Sequence, residues 1–280
     1  MKHRISCLLL LLLITSFPAF TQGRQQNWVQ LFNGRDLGNW DSYLGIPRDT
    51  AGKKIGDTPI GLNNDKLNVF TVIKQGGENV IRVSGECIGG ISTRAEYENY
   101  HLQLQFKWGS WLQKGRKKKD SGLLYHSVGE QGADSGAWMR SQEFQIEEGD
   151  CGDYWGCAGA MADVPASKRS EKEYVFDPAG TTLTFSAKSP QGRHCIKRGD
   201  GEKAFGEWNT LDLYCYGDTS IHVVNGKVVM VLYHNSQQEK DQVLPLTKGK
   251  IQLQSEGAEV FYKDVKLQSI NKLPEALLKN

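Results

Sequence analysis

The stretch that decides the fold is YHLQLQFKW, residues 100–108. Its apolar side chains occupy every second position from Tyr100 to Trp108 and alternate with polar side chains such as His101 and Lys107. Successive side chains of a β-strand point to opposite faces of a sheet, so this period of two predicts a strand with one buried face.

The same period of two continues through most of residues 28–268. Residues 221–230 predict a hairpin, because Asn225 and Gly226 at its centre form the pair preferred in a type I′ turn. No long stretch has a helical period, and only residues 273–278 predict a short terminal helix. Further strands are expected near 69–73, 79–83, 121–128, 141–147, 181–186, 211–216, 251–254 and 261–267. Many strands with Gly-rich turns and no alternation of strands with helices predict a single-domain, all-β jelly-roll sandwich.

Composition narrows the function classes. The chain has 280 residues, with 34 Lys and Arg against 32 Asp and Glu. Two of the basic residues, Lys2 and Arg4, lie in the N-terminal segment discussed next, and without them the charges balance. A neutral protein lacks the broad positive field that attracts nucleic acid. We therefore expect no nucleic-acid partner.

The N-terminus has the pattern of a secretory signal. Lys2 and Arg4 precede an apolar run over residues 5–14, and small or turn-forming residues follow it. The run of about 10 residues is too short to span a bilayer, which takes about 20. We expect residues 1–22 to be removed, leaving 23–280 as one domain with no membrane span, which is periplasmic, secreted or located at the cell surface. The sequence predicts no particular oligomeric state.

Export affects the interpretation of the cysteines. Without Cys7 in the apolar run, five remain, an odd number that leaves at least one unpaired. Cys151 and Cys157 enclose a short Gly-containing loop, and in an oxidising compartment this spacing favours a disulfide over free thiols. Four closely spaced ligands for structural zinc are not present in this pattern.

The segment SQEFQIEE, residues 141–148, carries the candidate chemistry. Strand alternation sends Phe144 and Ile146 into the core, and Glu143, Gln145 and Glu147 to the other face. Such a row offers acceptors for sugar hydroxyls and a carboxylate for proton transfer, although an ordinary solvated strand face gives the same alternation. Potential stacking rings and charges nearby favour a carbohydrate cleft, namely Trp138, Arg140, Asp150, Tyr154 and Trp155.

Several motifs resemble one known family. The stretch WVQLFNGRDLGNW, residues 28–40, is similar to the W-x-x-LFNG-x-DL-x-x-W opening of the 3-keto-disaccharide hydrolase domain family. The resemblance continues through DSGLLY (120–125), EFQI (143–146), GEWN (206–209), VNG (224–226) and IQLQ (251–254). It implies a fold like that of concanavalin-A-like lectins and glucanases, and cleavage of 3-keto-disaccharides. The chain departs from the family pattern at Asp120, where the family has Asn, and at FYKDV (261–265), where the family has F-R-N-I.

A 3-keto sugar can be cleaved by elimination, because its C3 carbonyl acidifies the C2 proton. The reaction needs a base, an acid for the leaving oxygen and a group that stabilises the enolate. We expect Glu143 to be the base, with Glu147 or Glu148 as alternates, and His126 to be an acid or a metal ligand, although a structural role for His126 is also open. Arg94 or a divalent metal is expected to hold the enolate. The expected substrate-binding residues are Gln145, Arg94, Asp120, Tyr125 and Trp155.

Two other functions stay open. One is a carbohydrate-binding module without catalysis on the same fold. The other is a conventional β-glucanase, since the spacing of Glu143 and Glu147 resembles the E-x-D-x-E motif of laminarinase-type enzymes, with Gln145 at the position of the Asp. That spacing corresponds to about 13 Å along a strand, whereas a retaining pair needs about 5–5.5 Å. The basic run at residues 114–119 is expected to be a solvated loop that can border a cleft.

Overall fold

The computed structural model describes residues 27–49 and 52–279. The expected signal peptide, residues 1–22, lies outside the described residues. Within them the chain forms 20 strands and one turn of 3₁₀ helix. In the part of the chain that the structure describes, no helix has both the length and the hydrophobicity needed to cross a bilayer.

The first half of the chain contributes ten strands. They are β1 (Val29–Gln30), β2 (Trp40–Leu44), β3 (Gly61–Leu62), β4 (Phe70–Gln75), β5 (Glu78–Val83), β6 (Gly89–Thr93), β7 (Tyr100–Leu112), β8 (Asp120–Val128), β9 (Arg140–Glu147) and β10 (Tyr154–Cys157).

The second half contributes ten more strands. They are β11 (Ala160–Lys168), β12 (Tyr174–Phe176), β13 (Thr181–Phe185), β14 (His194–Cys195), β15 (Asn209–Tyr216), β16 (Thr219–Val224), β17 (Lys227–Glu239), β18 (Gln242–Pro245), β19 (Lys250–Ser255) and β20 (Ala258–Ser269).

These strands form two antiparallel sheets, which confirms the predicted jelly-roll sandwich. The eight-stranded sheet has the order β14-β10-β9-β8-β19-β6-β2-β3. The main path of the twelve-stranded sheet is β12-β11-β17-β16-β15-β7-β20-β5-β4, with β1, β13 and β18 paired at its sides. In the smaller sheet, β19 lies between β8 and β6, so strands far apart in sequence become neighbours.

The core lies between the sheets and is built by the predicted alternation. From the twelve-stranded sheet, Leu102 and Phe106 of β7 are fully buried. From the eight-stranded sheet, Phe144 and Ile146 of β9 join the same cluster. Burial of a side chain of this size stabilises the fold by about 1.5–3 kcal/mol. The apolar residues of β9 thereby fix which of its side chains face outward.

The predicted hairpin is confirmed and the terminal helix is much shorter than expected. Asn225 and Gly226 connect β16 to β17 with φ of 49° and 81°, the two positive values that a type I′ turn requires. Instead of a helix over residues 273–278, the chain forms a single 3₁₀ turn, Glu275–Leu277, which buries no residue. Leu273 and Leu277 pack against the core but are only partly buried, so the segment has few of the tertiary contacts that stabilise most helices.

The predicted disulfide between Cys151 and Cys157 is wrong, because both thiols are free. Cys151 packs into the core between the sheets. Cys157, at the end of β10, instead contacts the Glu143 carboxyl on the outward face of the smaller sheet. The two side chains therefore lie on opposite sides of that sheet.

Candidate active site

The outward face of the eight-stranded sheet contains a cavity of about 260 Å³. We call this cavity the pocket. Its floor is formed by β8, β9, β10 and β19, and its walls by the connections that flank them. The residues that line it are Asp120, Asp134, Ser135, Trp138, Glu143, Gln145, Glu147, Trp155, Cys157, Arg193, Gln254 and Glu256.

The predicted row on β9 lies in the pocket. Glu143, Gln145 and Glu147 all line it, while the intervening Phe144 and Ile146 point into the core. Gln145 occupies the centre of the row and donates a hydrogen bond from Nε2 to Asp120 Oδ1 at 3.3 Å. The alternation of this one strand therefore identifies three lining residues correctly.

Asp120 and Glu147 form a carboxylate pair at one end of the row. They are directly opposite each other in the register of β8 and β9. Burial, with the Glu256 carboxylate nearby, raises the pKa of Asp120 to about 7. Burial, with the Asp120 carboxylate nearby, raises the pKa of Glu147 to about 7 as well. One of the two groups can therefore hold a proton near neutral pH while the other is ionised.

Arg116 neutralises part of this acidic end. Its Nη1 lies 2.9 Å from Asp120 Oδ2 and its Nη2 lies 3.2 Å from Glu256 Oε1. The guanidinium lowers the pKa of Asp120, but less than burial raises it. Arg116 belongs to the basic run 114–119, which the sequence predicted to be a solvated loop. One residue of that run thus anchors the pocket.

Glu143 lies at the centre of the pocket in a different environment. Its side chain is buried, and Cys157 Sγ donates a hydrogen bond to Glu143 Oε2 at 3.3 Å. Burial raises the pKa of Glu143 well above its ordinary value, and the carboxylates of Glu256 and Asp120 raise it further. These effects favour the neutral carboxylic acid.

An aromatic wall closes the other end of the pocket. Trp155 on β10 pairs with Glu143 in the strand register, and its ring stacks on His194 at a centroid distance of 4.2 Å. The Arg193 guanidinium lies 5.6 Å from the Trp155 ring centroid and forms an ion pair with Asp134 at 2.5 Å. Ring faces of this kind pack against the apolar faces of sugars, and the ion pair offers partners for hydroxyls.

Two predicted site residues lie in the interior and not in the pocket. The Tyr125 hydroxyl contacts Ser220 Oγ at 2.8 Å, within the core. His126 is fully buried, and its Nδ1 lies 3.0 Å from the Leu246 carbonyl oxygen. Burial lowers the pKa of His126 to about 4, which favours the neutral imidazole. The catalytic and substrate-binding roles expected for these residues are therefore wrong, and the structural role left open for His126 fits its position.

Two further predicted residues lie outside the pocket lining. Arg94 is mostly exposed and pairs with Asp41 at 3.1 Å, two strands beyond β19. Glu148 follows the end of β9 and accepts a hydrogen bond from the backbone N–H of Lys119. Strand alternation places Glu148 on the side opposite to Glu147, so it does not serve as an alternate base.

The carboxyl groups of the pocket do not fit the expected divalent metal. Among the described residues, no three His, Cys, Asp or Glu side chains converge as a metal-binding set. A cation already stands between Asp120 and Glu256, namely the guanidinium of Arg116. We therefore derive no step through a metal.

Sequence reasoning missed five lining residues that come from distant segments. Gln254 lies in β19 and Glu256 directly follows it, whereas Asp134, Ser135 and Arg193 lie in connections between strands. Only the family resemblance at IQLQ (251–254) pointed towards any of them. Pairing of β19 with β8, in which Gln252 opposes Leu124, brings the first two to the pocket.

Carboxyl groups beside stacked aromatic rings on the face of a β-sandwich indicate a carbohydrate-active protein. Residues 27–268 match the model of the family described as the 3-keto-alpha-glucoside-1,2-lyase-like domain, and the chain belongs to this family. The resemblance seen in the sequence motifs is thus confirmed. A comparison with curated proteins gave no match.

Several solved structures are similar to the chain. A candidate glycosyl hydrolase of Parabacteroides distasonis ATCC 8503 has 20% identity and a TM-score of 0.49, over 87% of this chain and 100% of that one. Another from the same organism has 18% identity and a TM-score of 0.48, over 87% and 94%. The carbohydrate-binding module CBM66 of Bacillus subtilis has 10% identity and a TM-score of 0.42, over 71% and 92%.

Proposed function

We propose that the protein cleaves the glycosidic bond of 3-keto-glycosides by elimination followed by hydration. The observation that carries this proposal is the presence of two kinds of carboxyl group in one pocket. Asp120 and Glu147 have pKa values raised to about 7, and Glu143 is buried in an environment that favours its neutral form. A base and an acid at neutral pH are what elimination needs.

The base is the Asp120–Glu147 pair. At neutral pH the pair holds about one proton, so one carboxylate is free to take another. Glu147 is the half-buried member and therefore the one open to substrate. The sequence alone suggested Glu143 as the base. Its burial without a paired cation favours the opposite role.

Glu143 is the acid that protonates the leaving oxygen. A neutral carboxyl retains its proton until a stronger base appears, and the departing glycosidic oxygen is such a base. Trp155 lies beside Glu143 in the neighbouring strand and is placed to stack on the leaving group. Gln145, between the acid and the base, presents an amide N–H that can donate to the developing enolate oxygen.

The bonds change in two balanced stages. The base removes the C2 proton, the electron pair of that C–H bond forms a C1=C2 double bond, and the C1–O bond breaks while Glu143 supplies the proton to the leaving alcohol. Water then adds to C1, and C2 regains a proton. The net reaction is hydrolysis, with a hydrogen from solvent at C2.

The test compares a 3-keto-disaccharide with its unoxidised parent in D₂O. We expect turnover of the keto sugar only, with deuterium at C2 of the released keto sugar beyond the exchange measured without enzyme. Equal rates on both sugars, or product without the label, would indicate direct displacement as in a β-glucanase. Binding of the keto sugar without turnover would indicate a carbohydrate-binding module.

We also propose that the protein is exported after removal of residues 1–22. The support is the charge and apolar pattern of that segment. Mass spectrometry of the protein recovered outside the cytoplasm should find an N-terminus near residue 23. A chain that begins at Met1 would contradict export by cleavage.

A further inference from the structure

The two oxygens of the Glu143 carboxyl lie in different surroundings. Oε2 accepts a hydrogen bond from Cys157 Sγ at 3.3 Å. Oε1 lies 2.5 Å from the point where a Cβ on Gly122 would stand, and Gln254 Oε1 lies 2.5 Å from the same point. Because Gly122 has no side chain, the two oxygens can approach each other across the floor of the pocket.

Gln254 Oε1 has no hydrogen-bond partner among the described residues, although the side chain is buried. A buried amide oxygen without a donor is destabilising, because it has lost its water without gaining a partner. If Glu143 were ionised, the Gln254 oxygen would also face a negative charge. A proton on Glu143 Oε1 gives Gln254 Oε1 a hydrogen-bond donor, and it also removes the negative charge that the Gln254 oxygen would otherwise face.

We propose that Cys157 and Gln254 are positioning residues that orient the neutral acid Glu143 so that its proton lies on Oε1. The thiol of Cys157 donates its hydrogen bond to the carbonyl-type oxygen, Oε2. The amide oxygen of Gln254 accepts from the hydroxyl-type oxygen, Oε1. This arrangement directs the acidic proton into the pocket above Gly122, and it deepens the proposed function by stating how that acid is prepared.

The carboxyl groups around Glu143 also favour its neutral form, whereas the Cys157 thiol favours the ionised form. The charges of the carboxylates disfavour a second anion, and the two guanidinium groups are each already paired with carboxylates. By element the titratable groups around Glu143 are Asp120 on β8, Glu147 on β9, Asp134 between β8 and β9, Cys157 on β10, Arg193 before β14, Glu256 after β19, and Arg116 before β8.

The two positioning residues have opposite effects on the acid. A donor such as the Cys157 thiol stabilises the carboxylate form, so its removal raises the pKa of Glu143. An acceptor such as Gln254 Oε1 stabilises the neutral form, so its removal lowers that pKa. A role limited to packing would not give shifts of opposite sign.

The experiment is a titration of the Glu143 carboxyl carbon by ¹³C NMR in protein labelled at glutamate. The resonance is assigned by its loss in Glu143→Gln. In the wild type we expect the protonated chemical shift at pH 7. We expect the midpoint to rise in Cys157→Ala and to fall in Gln254→Met, each by roughly 0.5–1 pH unit, the equivalent of one hydrogen bond.

Two further variants serve as controls. Cys157→Ser keeps a donor and should return the midpoint towards the wild-type value or below it. Cys195→Ala removes another buried thiol, one that packs in a core cluster near the Tyr174 carbonyl and makes no contact with Glu143, and should leave the midpoint unchanged. If Glu143 is ionised at pH 7, or if both pocket variants shift the midpoint in the same direction, the proposal is overturned.

The titration requires no turnover, so it separates this inference from the proposed function. If the protein lacks activity on 3-keto-glycosides, the NMR midpoints still decide how Glu143 is held. If it is active, the alkaline limb of the kcat/KM profile should move with the midpoint, upward in Cys157→Ala and downward in Gln254→Met. Activity with an unmoved limb would mean that Glu143 is not the acid.

Discussion

Asp120 and Glu147 stand opposite each other across the β8–β9 pair, and each carboxyl has a pKa raised to about 7. Carboxyl groups in water titrate near 4. The pair therefore gains and loses a proton in the neutral range, where free carboxyl groups are fully ionised. Gln145 donates to Asp120, and Arg116 pairs with it, which fixes the orientation of that carboxyl.

The first prediction concerns the acid limb of the pH profile of kcat/KM. Replacement Asp120→Asn removes the charge that raises the pKa of Glu147, so that pKa should fall. The base is then ionised at lower pH, and the acid limb of kcat/KM should move down by about one pH unit. The distant, exposed Glu239→Gln serves as the control and should leave the limb in place. An unmoved limb in Asp120→Asn would exclude Glu147 as the base.

The second prediction concerns turnover. Glu143→Gln removes the acidic proton but keeps a side chain of the same shape, so kcat should fall by about 10²–10⁴-fold while sugar binding persists. Glu148→Gln is the matched control, because Glu148 lies just past β9 and outside the pocket lining. Isothermal titration and steady-state rates measure the two effects. Near-full activity in Glu143→Gln would refute the assignment.

The third prediction concerns stability as a function of pH. The pKa of Glu143 is raised in the folded state above its ordinary value of 4.5. The native protein therefore keeps this proton at pH values at which the unfolded chain has lost it, and the contribution to the free energy of unfolding falls as pH rises above about 4.5. Gln cannot titrate, so Glu143→Gln should gain stability relative to the wild type between pH 5 and 8.

Thermal unfolding at several pH values measures this gain. Each kcal/mol corresponds to roughly 2–4 °C in Tm for a domain of this size. The difference between variant and wild type should be smallest at pH 5 and should grow towards pH 8. A constant difference across that range would mean that Glu143 does not retain its proton on folding.

The fourth prediction concerns the aromatic wall. Trp155→Ala removes the ring that stacks on His194 and faces the pocket, so KM for the keto sugar should rise by about five- to tenfold with a smaller change in kcat. Trp208→Ala is the control, since Trp208 packs against Lys107 and Lys263 of the other sheet. If both variants bind the sugar like the wild type, Trp155 does not contact the substrate.

Local patterns predicted the fold and part of the pocket. The period of two in β9 was sufficient to place Glu143, Gln145 and Glu147 on one face. The turn residues Asn225 and Gly226 defined a hairpin because their positive φ values are a local property. Such features depend on a few consecutive residues, and the sequence contains them directly.

The errors at Tyr125 and His126 have different causes. Tyr125 is an odd number of residues from Asp120, so strict alternation already places it on the core side, and the family motif misled the expectation. His126 is an even number away and should face outward. A register shift between Tyr125 and Val128, with φ of 51° at His126, turns it inward. Bulges of this kind have no clear signature in a single sequence.

The missed residues reflect pairing over long distances in the chain. Gln254, Glu256 and Arg193 reach the pocket only because particular strands become neighbours. No local period specifies that β19 is inserted between β8 and β6.

That insertion also orders events during synthesis of the chain. A nascent polypeptide that has emerged only to about residue 250 contains β8 and β6 without the strand that separates them, so the sheet has a gap where its centre should be. The two edges of that gap expose unpaired backbone groups until β19 leaves the ribosome. Protection of this half-built sheet by a chaperone until β19 is in place would then increase the yield of folded protein.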